Sequence, residues 1–227
     1  MVGAVSGAMS GAAKPPPALI FDLDGTLLDS MGIWLDVDEA FLKRRGLAVP
    51  ADYAGEILAM GFREAADYTI KRFGLPDSAE SVLREWGEMA AAAYGRPAPL
   101  KPGAREYLFE MRERGAKMAI ATSALPDLCE IALRAHGIRD LFRAVCNTSE
   151  AGRGKSAPDV FLLAARRLGA DPGGCVVFED ILAAVKSAKS AGMAVCAAFD
   201  EASRADWEEI RAAADWAIRG FGEAPRF

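Results

Sequence analysis

The stretch FDLDGTLLDS, residues 21 to 30, places two aspartates one residue apart at the end of an apolar run. Asp22 and Asp24 are followed at once by Gly25, whose conformational freedom allows the chain to turn beside the carboxylates. One carboxylate can act as a nucleophile while its neighbour carries protons, provided that their environments set the two pKa values apart. The spacing therefore predicts a catalytic pair at the end of a buried strand.

Other polar residues follow later apolar runs. Thr122 and Ser123 come at the end of the second run, Lys155 lies in the loop after the third, and Glu179 and Asp180 end the fourth. In an open parallel sheet, ligands bind beyond the carboxyl ends of the strands, so these segments can meet at one pocket. Carboxylates gathered there would repel one another unless a cation lay between them. Oxygen ligands without nearby His or Cys favour Mg²⁺, which typically binds one or two carboxylates and a phosphate.

Taken in order, these motifs resemble those of the haloacid dehalogenase-like superfamily. The motifs are DLDGT at residues 22 to 26, the strand-end Thr122, Lys155 in the sequence GKSAPD, and the acidic pair at 179 and 180. The resemblance covers about residues 18 to 200 and extends to the capped phosphatases and β-phosphoglucomutase-like enzymes, because a helical insertion follows the first motif. It implies a Rossmann-like core, an all-helical cap and chemistry on phosphate esters.

The resemblance also implies roles for the catalytic residues. Asp22 would be the nucleophile that takes up the phosphoryl group as an aspartyl-phosphate, and Asp24 would protonate the leaving oxygen and then activate water. Thr122, Ser123 and Lys155 would hold the phosphate. A carboxylate attacks a phosphate dianion poorly unless positive charge offsets the combined negative charge, and Lys155 supplies part of that charge.

For the cofactor, the resemblance implies Mg²⁺ held by the Asp22 carboxylate, the Asp24 main chain and Asp180. Glu179 is either a further metal ligand or a residue that orients the ligands, and both alternatives stay open. Ile181 follows the acidic pair where relatives often carry Ser. Since Ile has no hydroxyl to orient the carboxylates, we expect weaker metal affinity.

The elements that must position these residues are short apolar runs alternating with amphipathic stretches. This alternation predicts an α/β fold with a doubly wound parallel sheet whose strands are buried on both faces. The predicted strands are residues 18 to 22, 117 to 122, 144 to 147, 175 to 180 and 194 to 199, with a further edge strand near residues 215 to 221.

The long gap between the first two runs predicts an inserted domain, because a crossover helix of about a dozen residues would suffice to connect them. We expect a helical cap at residues 33 to 98, a core formed by residues 18 to 32 and 99 to 227, and a loose tail at residues 1 to 17. The predicted hinges are residues 30 to 33 and 96 to 103. The aromatic residues of the cap are expected to form its core; they are Trp34, Phe41, Phe62 and Trp86.

The amino-acid composition indicates which classes of binding partner are not expected. The net charge of -5 and the isoelectric point near 5.1 show no basic excess, so we expect neither nucleic acid nor a membrane surface as a partner. The four cysteines are widely spaced and predict reduced, buried thiols in a cytoplasmic protein. A monomer or weak dimer is expected.

These observations predict a Mg²⁺-dependent phosphatase acting on a small phosphorylated metabolite, such as a sugar, polyol or nucleoside phosphate. A sugar-phosphate mutase is the first alternative, although such enzymes usually carry a cap His and this cap has none, with only Arg63 in the comparable loop at residues 59 to 65. A phospho-accepting signalling module of the receiver type is the second, although it needs no cap and lacks the DLDGT motif.

Overall fold

A computed structural model describes residues 16–93 and 98–227. Within them, one parallel sheet has the strand order β3-β2-β1-β4-β5-β6. The strands are β1 (Ala18–Phe21), β2 (Met118–Thr122), β3 (Ala144–Asn147), β4 (Cys175–Glu179), β5 (Ala194–Ala198) and β6 (Trp216–Ile218). Residues 1–15 of the predicted tail, and residues 96 and 97 of the predicted second hinge, lie outside the described part of the chain.

The helices follow the amphipathic stretches closely. Four of them come between β1 and β2: α1 (Met31–Lys43), α2 (Tyr53–Ile57), α3 (Phe62–Phe73) and α4 (Ala79–Ala93). Those that follow are α5 (Ala104–Glu113), α6 (Pro126–Ala135), α7 (Thr148–Ala151), α8 (Asp159–Leu168), α9 (Leu182–Ser190) and α10 (Trp207–Ala213).

The sheet is covered on both faces. In β1, Leu19 and Phe21 face the apolar layer shared with α5 and α6, whereas Ala18 and Ile20 face the layer shared with α8, α9 and α10. Successive side chains of a strand point to opposite faces, so a strand buried on both faces reads as a continuous apolar run. The predicted doubly wound parallel α/β fold is confirmed, including the edge strand β6.

Helices α1 to α4 form the predicted all-helical insertion. They surround a third apolar cluster, distinct from the two that flank the sheet, in which Phe41, Tyr53 and Val82 are fully buried and to which α6 contributes Leu128. Phe41 packs edge-on against Trp86 with ring centroids 5.5 Å apart. A separate cluster is what an inserted domain needs in order to hold its own shape. Helix α1 begins at Met31, so the predicted boundary between residues 32 and 33 falls inside its first turn.

All four cysteines are free and buried, as expected. Among the helices of the described residues, none combines the length and apolar character that crossing a bilayer requires.

Candidate active site

The register of the sheet brings the ends of β1 and β4 together. Phe21 pairs with Phe178, and the Asp22 N–H donates a hydrogen bond to the Phe178 carbonyl at 3.0 Å. Asp22 is therefore level with Glu179 at the end of the neighbouring strand, and Asp180 follows one residue later. The strand order also reverses between β1 and β4, which is where open α/β sheets bind ligands.

The turn after β1 packs against Asp180. Gly25 has φ of +83°, and a Cβ built on it would overlap the Asp180 carboxylate, so only glycine fits this position. One residue later, the Thr26 hydroxyl donates to Asp180 Oδ1 at 2.7 Å. Thr26 thus supplies an orienting hydroxyl to Asp180, and the weaker metal affinity expected from Ile181 stays a prediction.

Lys155 is buried and forms ion pairs with both Asp22 and Glu179. The second carboxylate oxygen of Glu179 accepts the main-chain N–H groups of Asp180, at 2.8 Å, and Ile181, at 3.1 Å. Both oxygens of Glu179 are therefore engaged by the protein. Burial alone would lower the pKa of Lys155, but the two carboxylates outweigh it and raise the pKa above its usual value, so this lysine stays charged.

Three buried carboxyl groups meet below the pocket. Asp22, Glu179 and Asp180 each offer an oxygen within 4.8 Å of the others, and Asp180 Oδ2 is buried with no hydrogen-bond partner among the described residues. Burial raises the pKa of Asp22 to about 7, with Lys155 acting in the opposite direction, and it raises the pKa of Asp180 well above its usual value. A single lysine cannot neutralise three carboxylates, so the cluster fits a hard divalent cation as an additional partner.

The remaining predicted site residues stand beside this cluster. The Ser30 hydroxyl donates to Asp24 Oδ1 at 2.5 Å, which orients that carboxyl. Thr122 Oγ1 accepts the Ala124 N–H at 3.0 Å. The Ser123 hydroxyl is buried and has no hydrogen-bond partner among the described residues, so it is available to a ligand.

A cavity of about 280 Å³ joins these groups. Its floor is formed by the predicted catalytic and phosphate-binding residues, namely Asp22, Asp24, Thr122, Ser123 and Lys155. Its roof comes from the helical insertion and includes Trp34, Phe62 and Trp86, so three of the four aromatic residues expected to be only core residues also face the cavity. Glu179 and Asp180 lie behind the floor and do not line it.

Comparison with known proteins gives the family. Residues 16–192 match the family model of the haloacid dehalogenase-like hydrolases. This chain belongs to that family. A curated relative, the probable pseudouridine-5'-phosphatase of Drosophila melanogaster, is 33% identical over an alignment of 184 residues that covers 78% of each chain.

Two solved structures share the fold of this hydrolase. CbbY from Rhodobacter sphaeroides, in complex with xylulose-(1,5)bisphosphate, has a TM-score of 0.80 at 25% identity, over 92% of this chain and 96% of the other. A β-phosphoglucomutase from Clostridium difficile also has a TM-score of 0.80, at 18% identity, over 92% of this chain and 93% of the other. The predicted superfamily, its phosphatase and mutase subfamily and the prediction of a hydrolytic enzyme are confirmed.

Several residues that support the site in this hydrolase were not singled out from the sequence. Thr26 and Ser30 lie inside the opening stretch, where their hydroxyls were the available signal. Asn147 ends β3 and donates from Nδ2 to the Ala124 carbonyl at 3.0 Å, which holds the loop after β2. The Lys155 N–H donates to the Ala59 carbonyl at 3.0 Å, so the insertion helps to hold the lysine loop.

Asp38 of α1 is a further residue that sequence reasoning missed. It lines the cavity roof, and desolvation raises the pKa of Asp38 to about 7. The titratable groups that share the cavity are Asp22, Asp24 and Lys155 on the floor. Burial raises the pKa of Tyr53 in α2, and the nearby Asp38 charge raises it further. That phenol therefore stays neutral near pH 7.

The Asp38→Asn variant of this hydrolase should be more stable than the wild type at pH 8. The folded protein holds the Asp38 proton up to pH near 7, whereas the unfolded chain releases it near 3.8, so wild-type stability falls as the pH rises between these values. Asn resembles the protonated acid and avoids this loss, which we expect to be on the order of 1 kcal/mol for a partly exposed group. Urea unfolding at pH 4 and pH 8 measures the difference.

The matched control is Asp36→Asn, which makes the same chemical change at an exposed position on the same helix. Its stability should follow the wild-type pH profile. If Asp38→Asn also followed the wild-type profile, desolvation of Asp38 would be refuted.

Proposed function

We propose that this protein is a Mg²⁺-dependent phosphatase that hydrolyses a small phosphomonoester through an aspartyl-phosphate on Asp22. The observation that carries the proposal is the cavity floor, where Asp22, Asp24 and Lys155 meet beside a buried carboxyl cluster. The name of the Drosophila melanogaster relative, a probable pseudouridine-5'-phosphatase, supports a phosphorylated metabolite as the substrate. Sugar, polyol and nucleoside phosphates form the predicted class.

In this proposal, Mg²⁺ would be held by the carboxylates of Asp22 and Asp180 and by the main chain of Asp24. Bound there, the ion would supply positive charge that offsets the charges of the phosphate and the attacking carboxylate. Glu179, which the sequence left as a ligand or an orienting residue, is assigned the orienting role because both of its oxygens already have protein partners.

The first chemical step forms a bond from an Asp22 carboxylate oxygen to phosphorus and breaks the bond from phosphorus to the leaving oxygen. Thr122, Ser123 and Lys155 hold the transferring phosphoryl group. Asp24 gives its proton to the leaving oxygen, so the product leaves as a neutral alcohol. The hydrogen bond from Ser30 fixes the Asp24 carboxyl for this transfer.

The second step returns the enzyme to its starting state. Asp24, now ionised, takes a proton from a water molecule as the water oxygen attacks phosphorus. The bond between phosphorus and Asp22 breaks, which releases inorganic phosphate and regenerates both aspartates in their original protonation states. Two carboxyl groups in different environments are suited to these different roles.

We further propose that residues 33–98 act as a cap over a core formed by residues 18–32 and 99–227. The support is that the cavity floor comes from the sheet and its loops, whereas the roof comes from α1 to α4 and the segments between them. A cap that closes over the substrate excludes water other than the attacking molecule and supplies contacts to the leaving group.

Hydrolysis is favoured over the mutase alternative by the charge of the cavity. A sugar-phosphate mutase must bind a second phosphate, yet Lys155 is the only cationic side chain among the described residues that line the cavity. Arg63, from the loop comparable to that of the mutases, is exposed and pairs with Glu80 at 2.7 Å and with Asp67 at 3.5 Å. It does not line the cavity.

Removal of divalent metal should decrease hydrolysis of p-nitrophenyl phosphate by on the order of 10²-fold or more, and Mg²⁺ should restore it. Ca²⁺ should not, because its larger and looser coordination sphere allows both oxygens of Asp22 to bind the ion and so occupies the attacking lone pair. Mg²⁺ should also raise the melting temperature of the chelated protein, because it binds the folded state.

Asp180→Asn should lose the Mg²⁺-dependent rise in melting temperature, whereas the exposed Asp36→Asn should keep it. Full activity after exhaustive chelation would contradict the metal assignment. A panel of phosphorylated metabolites, assayed with Mg²⁺, then ranks the substrate classes.

A further inference from the structure

The roof of the cavity combines aromatic rings with a single acid. Trp34 lies edge-on to Phe62 with ring centroids 5.1 Å apart, and Phe62 lies edge-on to Trp86 at 6.2 Å. Aliphatic and Met side chains of the insertion complete the roof around them. Asp38 is the one acidic residue in this part of the lining, as far as the chain is described.

No hydrogen bond or ion pair joins Asp38 to any described residue, and desolvation is the dominant influence on its carboxyl. Lys155 cannot serve as its partner, because that ammonium group is buried in the floor between Asp22 and Glu179. Placing a carboxylate against an apolar wall costs free energy unless a positive charge or a hydrogen-bond donor meets it. No described side chain supplies that charge or donor, so a ligand that displaces water from the cavity would have to supply it.

We propose that Asp38 and the aromatic roof select a phosphomonoester whose alcohol carries an organic cation, namely an ammonium or quaternary ammonium group. The phosphate would lie on the floor, and the cationic end would lie between Asp38 and the rings of Trp34, Phe62 and Trp86. Aromatic rings attract cations through their quadrupole, and this attraction adds to the ion pair when the site is desolvated. The inference deepens the proposed phosphatase activity and rests on it.

Other leaving groups fit this roof less well. An anionic group would meet the Asp38 carboxylate with no described cation to offset it, and a purely apolar group would leave that carboxylate unpaired. A neutral hydroxyl could donate a hydrogen bond to Asp38. A primary ammonium adds a full positive charge to such a hydrogen bond, and a quaternary ammonium, which has no N–H, attracts the carboxylate and the rings by its charge, so the cation is preferred.

The experiment compares four esters with the wild-type protein and Mg²⁺. Phosphocholine and phosphoethanolamine carry a cation, 3,3-dimethylbutyl phosphate is the neutral carbon isostere of phosphocholine, and 3-phosphonooxypropanoate carries an anion. We expect the cationic esters to have the highest kcat/KM. The ratio of phosphocholine to 3,3-dimethylbutyl phosphate should fall roughly 10- to 100-fold in Asp38→Asn, mainly through KM, because the contact is made equally before and during the chemical step.

Two further variants test whether the preference for cationic esters depends on the charge of Asp38. Asp38→Glu keeps the charge and should retain the preference for cationic esters, which a general disturbance of the roof would not allow. Asp36→Asn removes a charge from the exposed side of α1 and should keep both the wild-type rates and the wild-type ratio. Phosphoethanolamine and phosphocholine distinguish a primary ammonium from a quaternary one.

Hydrolysis of p-nitrophenyl phosphate distinguishes failure of the proposed phosphatase activity from failure of the proposed cation preference. If the wild-type protein does not hydrolyse it with Mg²⁺, the proposed phosphatase activity and this inference fail together. If it does, but the ratio of cationic to neutral ester is the same in Asp38→Asn as in the wild type, only the inference is overturned. A wild-type preference for the neutral or anionic ester would overturn it as well.

Discussion

Asp22→Asn should abolish the turnover of every phosphomonoester and should form no phosphoenzyme. The amide retains the shape of the carboxyl group but lacks the negative oxygen that attacks phosphorus, so the covalent route is closed. We expect kcat to fall by on the order of 10⁴-fold or more, as when a nucleophile is removed from an enzyme that depends on it. Hydrolysis of p-nitrophenyl phosphate and intact-mass measurement after rapid quenching would test both expectations.

Asp29→Asn is the matched control, because it makes the same chemical change seven residues later on an exposed side chain that does not line the cavity. It should hydrolyse p-nitrophenyl phosphate at the wild-type rate. Retention of a phosphoenzyme by Asp22→Asn would assign the nucleophile to another residue, and retention of the wild-type rate would exclude a covalent route through Asp22.

The strands of the sheet could be predicted from the sequence because they are buried on both faces and therefore form continuous apolar runs. Residues 175 to 180, CVVFED, form an apolar run that ends in two acids, and the observed strand is β4 (Cys175–Glu179). The start of α1 was harder to locate. Its first turn carries Met31 and Ser30 precedes it without a side-chain capping hydrogen bond, since the Ser30 hydroxyl is directed to Asp24 instead. Ser is a residue type favoured at helix N-caps, but here its hydroxyl binds a residue of the site instead of capping the helix.

The floor of the site could be predicted because its residues occur at strand ends in a recognisable order. The role of Glu179 could not, because it depends on where Lys155 lies: the ion pair between them becomes visible only when the loop after β3 folds back over the sheet. The role of Thr26 also depends on a contact that exists only in the folded chain. Its hydroxyl donates to Asp180 Oδ1, although Thr26 is distant from Asp180 in sequence and lies beside it only in the fold.

The roof could not be predicted from the same reasoning, because the orientation of a helix decides which of its residues face the cavity. Asp36, Asp38 and Glu39 are neighbouring acids in α1, and the sequence offers no reason to choose among them. In the folded chain, Asp36 and Glu39 are exposed and Asp38 lines the cavity. Contacts with α2 to α4 set this rotation, and they join residues far apart in the chain.

Asp24→Asn should differ from Asp22→Asn in kind, since it should accumulate the intermediate that the other variant cannot form. The amide can neither protonate the leaving oxygen nor take a proton from water, whereas the Asp24 main chain remains available to the metal. With p-nitrophenyl phosphate, whose leaving group needs little protonation, Asp22 should still be phosphorylated. Hydrolysis of the aspartyl-phosphate should then slow by on the order of 10² to 10⁴-fold, because its general base is missing.

A trapped phosphoryl group adds about 80 Da to the intact mass and should be found on the peptide that contains Asp22. Ser30→Ala tests the orientation of Asp24 separately: it removes the 2.5 Å hydrogen bond but keeps the carboxyl, so turnover should fall less and no phosphoenzyme should accumulate. The added mass on residue 24 of the wild-type protein would reverse the two roles. Unchanged hydrolysis by Asp24→Asn, with no added mass on either position, would show that the acid and base are not this carboxyl group.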